Sequence, residues 1–279
     1  MSNYTICPMN SGFIGGGGGK LEAANFYDYH FSLYKIMEKR PFPPKKKGGC
    51  VFFLLEGEGR KILVDTGMWD ADRANKYHHE GSTQPEGFKC FERLKALGIE
   101  PEEIDYVLYT HLHWDHVGYA DKFTKAVHVT HRKELAFAKD PIPLYYKSYE
   151  HPACGISNLD FYLNQKFETL EGETEILPGI RSFDTPGHSP GHIAFEVDTV
   201  NGPYILAGDA AFGLFSFTPV PELNYDITPP GRFTDIIEEW QTLRTLKERA
   251  QSLDRILLTH EGSLLDLMEK EPVLGLPRQ

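Results

Sequence analysis

Six consecutive residues, His111-Leu112-His113-Trp114-Asp115-His116, hold three imidazoles and one carboxylate. They follow Asp105-Tyr106-Val107-Leu108-Tyr109-Thr110, whose alternation and β-rich composition read as a strand. In a loop leaving a strand, His111 and His113 can turn toward one cation, and Asp115 and His116 toward a neighbouring one. Neutral imidazole suits zinc, iron, nickel or copper, and the added carboxylate suits a hydrolytic centre rather than a closed structural one.

Elsewhere the chain repeats this arrangement of a strand followed by a ligand-type residue. Ile62-Leu63-Val64 ends in Asp65. Gly179 to Phe183 leads into Thr185-Pro186-Gly187-His188-Ser189-Pro190-Gly191-His192. Tyr204 to Ala207 runs into Gly208-Asp209-Ala210, and Arg255 to Leu258 ends in Thr259-His260. In open α/β sheets ligands collect beyond the carboxyl ends of strands, so these places can converge on one site.

The elements between them are legible by period. Cys50 to Leu55 and Lys61 to Val64 flank a Gly-rich turn and predict a β-hairpin. Phe88, Phe91, Leu94 and Leu97 recur at helical spacing before Gly98, and Ile236, Ile237, Trp240, Leu243 and Leu246 mark a helix over Thr234 to Ser252. Further strands are expected over Ala126 to Thr130, Glu175 to Leu177 and Ile193 to Val197, with short helices from Lys133 and around Ser263 to Glu269. Gly15 to Gly19 reads as a loop, because no Lys-Ser/Thr follows it as a phosphate cradle requires. The aromatics between Phe26 and Phe42 suit core or strand packing, and Lys45-Lys46-Lys47 a solvated turn. Pro141 to Gln165 is irregular and aromatic, as lids and binding loops are.

At 279 residues, 41% hydrophobic and 25% charged, the composition is that of a folded chain with a sizeable core. A formal charge of −11 disfavours nucleic-acid partners, which need clustered Lys and Arg. No apolar run reaches membrane-spanning length and no signal-peptide pattern opens the chain, so no membrane partner and a cytoplasmic location are expected. Cys7, Cys50, Cys90 and Cys154 are scattered and read as reduced thiols.

Taken in order, Asp65, the HxHxDH run, His188, Asp209 and His260 resemble the pattern of the metallo-β-lactamase superfamily over about Val51 to His260. The resemblance implies a four-layer αββα sandwich (α/β class), two mixed β-sheets with outer helices. It covers one domain spanning 1–279, with an N-terminal extension about 1–47 and an aromatic insertion about 141–165. Within the superfamily, Ile62 to Gly67, Ile104 to Val107 and His111 to Gly118 are most similar to N-acyl-homoserine lactonases and the pyridoxolactonase type. The resemblance then implies one metal on His111, His113 and His188, a second on Asp115, His116 and His260, and Asp209 bridging them. Asp65 would orient a ligand imidazole by accepting its other N–H. His192 reads as structural, so His113→Ala is expected to lose activity and His192→Ala to retain it.

Two divalent cations, zinc by ligand type with iron, manganese or cobalt as alternatives, would hold a hydroxide that attacks a lactone carbonyl. Asp115 is the candidate to hand a proton to the departing alkoxide. One position departs from the lactonase pattern: Phe212 stands where those enzymes carry a tyrosine that contacts the substrate carbonyl, and a phenyl ring cannot donate a hydrogen bond. Phe212, Phe215, Tyr145 and Tyr146 are candidates for an apolar substrate pocket. A small-molecule lactone or ester substrate and a homodimer are the partners implied. The alternatives are thioester, β-lactam or phosphodiester hydrolysis on the same metals, or a non-catalytic metal-binding member.

Overall fold

A computed structural model describes residues 3–15, 48–156 and 164–277. Most of the glycine run, the aromatics between Phe26 and Phe42, Lys45 to Lys47, and Phe161 and Tyr162 lie outside the described residues.

Strands β1 (Thr5–Phe13), β2 (Gly49–Gly57), β3 (Arg60–Val64), β4 (Tyr106–Leu108), β5 (Val127–His131) and β6 (Phe167–Leu170) form one sheet in that order. Its β1, β2 and β3 are antiparallel and β3 to β6 parallel. A second sheet has the order β11 (Ile256–Leu257), β10 (Tyr204–Leu206), β9 (Ile193–Val197), β8 (Ile180–Asp184) and β7 (Thr174–Leu177). Here only β10 and β11 pair in parallel. Both sheets are therefore mixed.

Alternation in β2 shows how the layers are made. Val51, Phe53 and Leu55 join Ile62, Val64 and Leu108 against Ile193, Phe195, Val197 and Leu206 of the other sheet. Phe52 and Leu54 point the opposite way, toward Leu94 of α2 (Cys90–Ala96) and Ala138 of α3 (Arg132–Lys139). Because both faces of this strand are covered, its sequence is a continuous apolar run rather than an alternating one. On the far side, Ala194, Ile205 and Ile256 meet Leu243 and Leu246 of α4 (Ile236–Arg249). The layers are helix, sheet, sheet, helix, as the resemblance implies.

Three elements depart from the sequence reading. Thr5–Phe13, assigned by sequence to an N-terminal extension, is paired along its length with β2 as the edge of the first sheet. The helix α1 (Ala71–Tyr77) buries only Ala74 and so carries no apolar stripe. In β6 the two central residues are exposed, which leaves no alternation to detect. The last helix, α5 (Gly262–Lys270), falls where its period predicts.

The sheets are joined where the site forms. Ile193 N–H donates to the Thr110 carbonyl (2.9 Å), Val51 N–H to Thr259 (3.2 Å), and Thr259 N–H to Gly208 (3.1 Å). These bonds run between the segments that carry His111, Asp209 and His260, so the loops leaving both sheets share one scaffold.

Candidate metal centre

The loops after β3, β4, β8, β10 and β11 bring Asp65, the HxHxDH run, His188, Asp209 and His260 together at one end of the sandwich. Two groups of side chains result: His111, His113 and His188 in one, and Asp115, His116, Asp209 and His260 in the other. Within each, one ligand-type atom per residue lies within 4.8 Å of the rest. All seven are buried apart from His260, which is partly so.

Asp209 touches both groups. Its Oδ1 is 3.3 Å from His116 Nε2, while its Oδ2 is 3.3 Å from His260 Nε2 and 3.6 Å from His188 Nε2. A backbone device holds it there. Gly208 has φ +50°, and an added Cβ would lie 2.6 Å from Thr110 Oγ1 and 2.9 Å from His192 Nε2. Glycine meets both the left-handed backbone and the close approach.

The imidazoles are aimed from behind. His116 Nδ1 donates to Asp65 Oδ2 (2.8 Å), His188 Nδ1 to the Arg232 carbonyl (3.1 Å), and His260 Nδ1 to the Gly49 carbonyl (2.7 Å). A ring whose Nδ1 carries the proton presents the Nε2 lone pair at its other end. Each of these three rings turns Nε2 toward Asp209. His111 Nε2, His113 Nε2, His116 Nε2 and Asp209 Oδ1 are buried and have no hydrogen-bond partner. Leaving such atoms unsatisfied costs about 1–3 kcal/mol each, and a cation in each group would relieve those that face it; His113 turns its Nδ1, 3.0 Å from His188 Nε2, into its group. The donor set fits a pair of divalent metal ions.

The two groups differ electrostatically. Burial, aided by the neighbouring imidazoles, drives His111 and His113 well below the usual imidazole range, and burial takes His188 down to about 4. These three offer neutral lone pairs. Around His260 burial opposes charge, but the Asp209 and Asp115 carboxylates outweigh it and push the imidazole up to about 10. For Asp115 burial likewise opposes ionisation, and His260 and His116 overcome it to hold the carboxyl down to about 2.

His192 lies outside both groups. Its Nδ1 faces Thr185 Oγ1 (2.8 Å) and its Nε2 accepts the Asp209 backbone N–H (3.2 Å). Because it holds the backbone of the residue between the groups, its role is structural but not indifferent to activity. His192→Ala is expected to retain measurable activity while losing about 1–3 kcal/mol of stability from the orphaned amide. A chemical denaturation midpoint unchanged from wild type would overturn that expectation.

The pocket residues are placed unevenly. Phe212 flanks the centre, its ring 5.5 Å from His188 and 5.7 Å from His260. Phe215 follows it in a short turn, Leu214–Phe217. Tyr145 donates its hydroxyl to the Phe233 carbonyl, and Tyr146 stacks on His151 at 4.3 Å. Tyr149 is the aromatic of that loop that packs edge-on against His113, at 4.8 Å.

Sequence reasoning missed two neighbours. His78 stacks on Trp114 at 4.1 Å and faces Glu150 Oε1 (2.8 Å), which Arg73 also holds. Glu134 is fully buried beneath the HxH turn and bonded to Leu112 N–H (2.9 Å). Neither has a local sequence signal, since each acts across a loop crossing.

Residues 46–260 match the family described as the metallo-beta-lactamase superfamily. An N-acyl homoserine lactonase of a Bacillus species is 33% identical over 184 residues, covering 62% of this chain and 69% of that protein. AttM of Agrobacterium fabrum, also named an N-acyl homoserine lactonase, is 27% identical over 190 residues, 66% of this chain and 68% of its own. Among solved structures, an N-acyl homoserine lactone hydrolase with N-hexanoyl-L-homoserine at its catalytic metal centre superposes with TM-score 0.70. It is 22% identical and covers 95% of this chain and 96% of that one. AidC, a dizinc quorum-quenching lactonase, gives TM-score 0.66 at 15% identity, covering 93% and 91%. The stretch matched by the family holds both joined sheet edges and every residue of the two ligand groups, and the chain belongs to the metallo-beta-lactamase superfamily.

Proposed function

We propose that this protein is a metal-dependent lactonase that opens a cyclic ester by hydrolysis, with zinc as its metal. The observation that carries the reading is the position of Asp209 between two buried ligand groups, in a chain whose relatives are named N-acyl homoserine lactonases. In this reading His111, His113 and His188 hold one ion, Asp115, His116 and His260 the other, and Asp209 both. Bound there, two such ions supply activated water at neutral pH and polarise an ester carbonyl. The chain's own residues do the rest. Asp65, Gly49 and Arg232 accept from Nδ1 of three imidazoles, so that in each it is Nε2 that turns to the ions. Asp115, 3.4 Å from His260, is the residue that would carry a proton from the attacking water to the departing alkoxide. In a lactone the leaving group stays tethered, so one such transfer completes ring opening. The four cysteines are free thiols, which agrees with a reducing compartment such as the cytoplasm.

Phe212 bears on which lactone is taken. Its ring presents an apolar edge between His188 and His260 and offers no donor to a substrate carbonyl. Phe212→Tyr would introduce a phenol at that wall. If a lactone carbonyl lies against it, kcat/KM toward lactones rises by about tenfold, the worth of one added hydrogen bond.

The test of the reading is a substrate panel with the zinc-loaded protein, comparing acyl-homoserine, pyridoxo and simple γ-lactones with thioesters. Turnover of at least one lactone above every thioester is expected. Cleavage of thioesters with no lactone turnover would overturn the assignment.

A further inference from the structure

Glu134 lies in the first turn of α3 with its side chain fully buried, and none of the chemistry above assigns it a part. Its carboxylate is saturated by four donors. Oε1 accepts from Leu112 N–H (2.9 Å) and the Tyr149 hydroxyl (2.8 Å), and Oε2 from the Ser189 hydroxyl (2.6 Å) and Gly191 N–H (3.2 Å). An ionised carboxylate has about four lone-pair sites, so each is used.

The donors have one thing in common. Leu112 stands between His111 and His113. Tyr149 packs edge-on against the His113 ring, and Ser189 follows His188 directly. Three of the four adjoin His111, His113 or His188, and the fourth, Gly191, lies in the loop that carries His188. The other group rests on supports that do not involve Glu134: Asp65 behind His116, the Gly49 carbonyl behind His260, and His192 behind the Asp209 amide, although Asp65 also holds Thr110 beside His111. The loop carrying His188 also packs closely on Glu134, since a Cβ on Gly191 would come 2.1 Å from Glu134 N. That loop has no slack with which to replace the lost bonds.

We infer that Glu134 is the positioning residue for the His111, His113 and His188 half of the centre. The second subsite has supports of its own in Asp65, Gly49 and His192, so the first can be weakened by losing Glu134 while the other is less affected. The inference rests on the two-metal part of the proposed function and is independent of the substrate.

The test loads wild type, Glu134→Ala and Glu134→Gln with zinc, exposes them to graded chelator, and counts zinc per folded chain. Wild type is expected to hold two ions. In both variants one ion is expected to leave at about 10–100-fold lower chelator strength, the usual cost of losing a partner behind a ligand, while the other changes little. Glutamine is expected to fare no better than alanine, because whichever way its amide is turned the nitrogen confronts a backbone N–H, of Leu112 or of Gly191, that can only donate. Cobalt substitution provides a second readout, with the absorption of one site lost and that of the other kept. Should the Glu134 variants fail to fold, Ser189→Ala and Tyr149→Phe each remove one donor, and a smaller selective weakening of the same ion is expected.

Loss of both ions together, in step with the thermal midpoint, would reduce Glu134 to a general structural role and overturn the inference. So would retention of both at wild-type strength, or a wild type that never holds two. A protein that binds two zinc ions selectively in this way yet opens no lactone would sink the substrate assignment and leave the inference standing.

Discussion

Replacing Asp209 by alanine is expected to reduce lactone hydrolysis to background while the chain stays folded. Its carboxylate is the group within 3.6 Å of imidazoles from both ligand sets, reaching His116, His188 and His260. No neighbour can take its place. Asp115 reaches His260 at 3.4 Å but belongs to the second set, and the nearest support behind Asp209 is the backbone-directed His192. Loss of a residue that merely orients a ligand costs about 10–100-fold, and removing the group that spans both sets is expected to cost well beyond that. Asp209→Asn keeps the shape and one oxygen but no charge, and is expected to fall on the same side of that range. Measured kcat/KM at fixed zinc, with circular dichroism to confirm the fold, decides the matter. A rate within tenfold of wild type would show that the two sets do not act as one centre.

How much of this centre the sequence discloses follows from how each residue is carried. His111 to His116, Asp209 and His260 come at the ends of short apolar strands, and a strand end states both position and direction. Parallel β3 and β4, and parallel β10 and β11, leave their sheets at the same edge, so residues distant in the chain can be assigned to one place. Phe212 was legible for the same reason, three residues beyond Asp209. Glu134 was not. A glutamate in the first turn of a helix is favoured there by the helix dipole and reads as solvated; its burial comes from Ser189 and Gly191, more than 50 positions on. The aromatic loop shows a different limit. Composition points to Tyr145, Tyr146 and Tyr149 alike, and the turn at Pro143–Tyr145 determines which ring is aimed at His113. Strand β1 is hidden because Pro8, Asn10 and Ser11 interrupt its apolar residues, although its ladder with β2 extends from Thr5 to Phe13.

Asp65→Asn is expected to cost about 10–100-fold in zinc affinity and in kcat/KM, by changing where one proton sits. Asp65 is buried, with φ +58°, and it accepts three hydrogen bonds: Thr110 N–H to Oδ1 (2.8 Å), and the Thr110 hydroxyl (2.9 Å) and His116 Nδ1 (2.8 Å) to Oδ2. Asparagine tolerates a left-handed backbone nearly as well as any residue but glycine, so the substitution leaves the turn intact and isolates the side chain's chemistry. If the new carbonyl oxygen keeps the Thr110 N–H, the amide nitrogen faces His116 and donates to Nδ1. The imidazole proton then moves to Nε2, the atom 3.3 Å from Asp209, and a protonated nitrogen cannot bind a metal. If the amide is turned the other way, His116 keeps its tautomer but two donors meet at Thr110, at about 1–3 kcal/mol. The first orientation lowers zinc affinity with little change in thermal midpoint, and the second lowers the midpoint. Nitrogen-detected NMR of His116 distinguishes them by the site of its proton. Wild-type zinc affinity in Asp65→Asn would mean that the proton on His116 is held by something other than this carboxylate. Asp65→Ala adds about 1–2 kcal/mol of backbone strain to the loss of the acceptor, so it tests stability and tautomer together and separates nothing. The asparagine variant is the sharper experiment because a single proton is all it needs to displace.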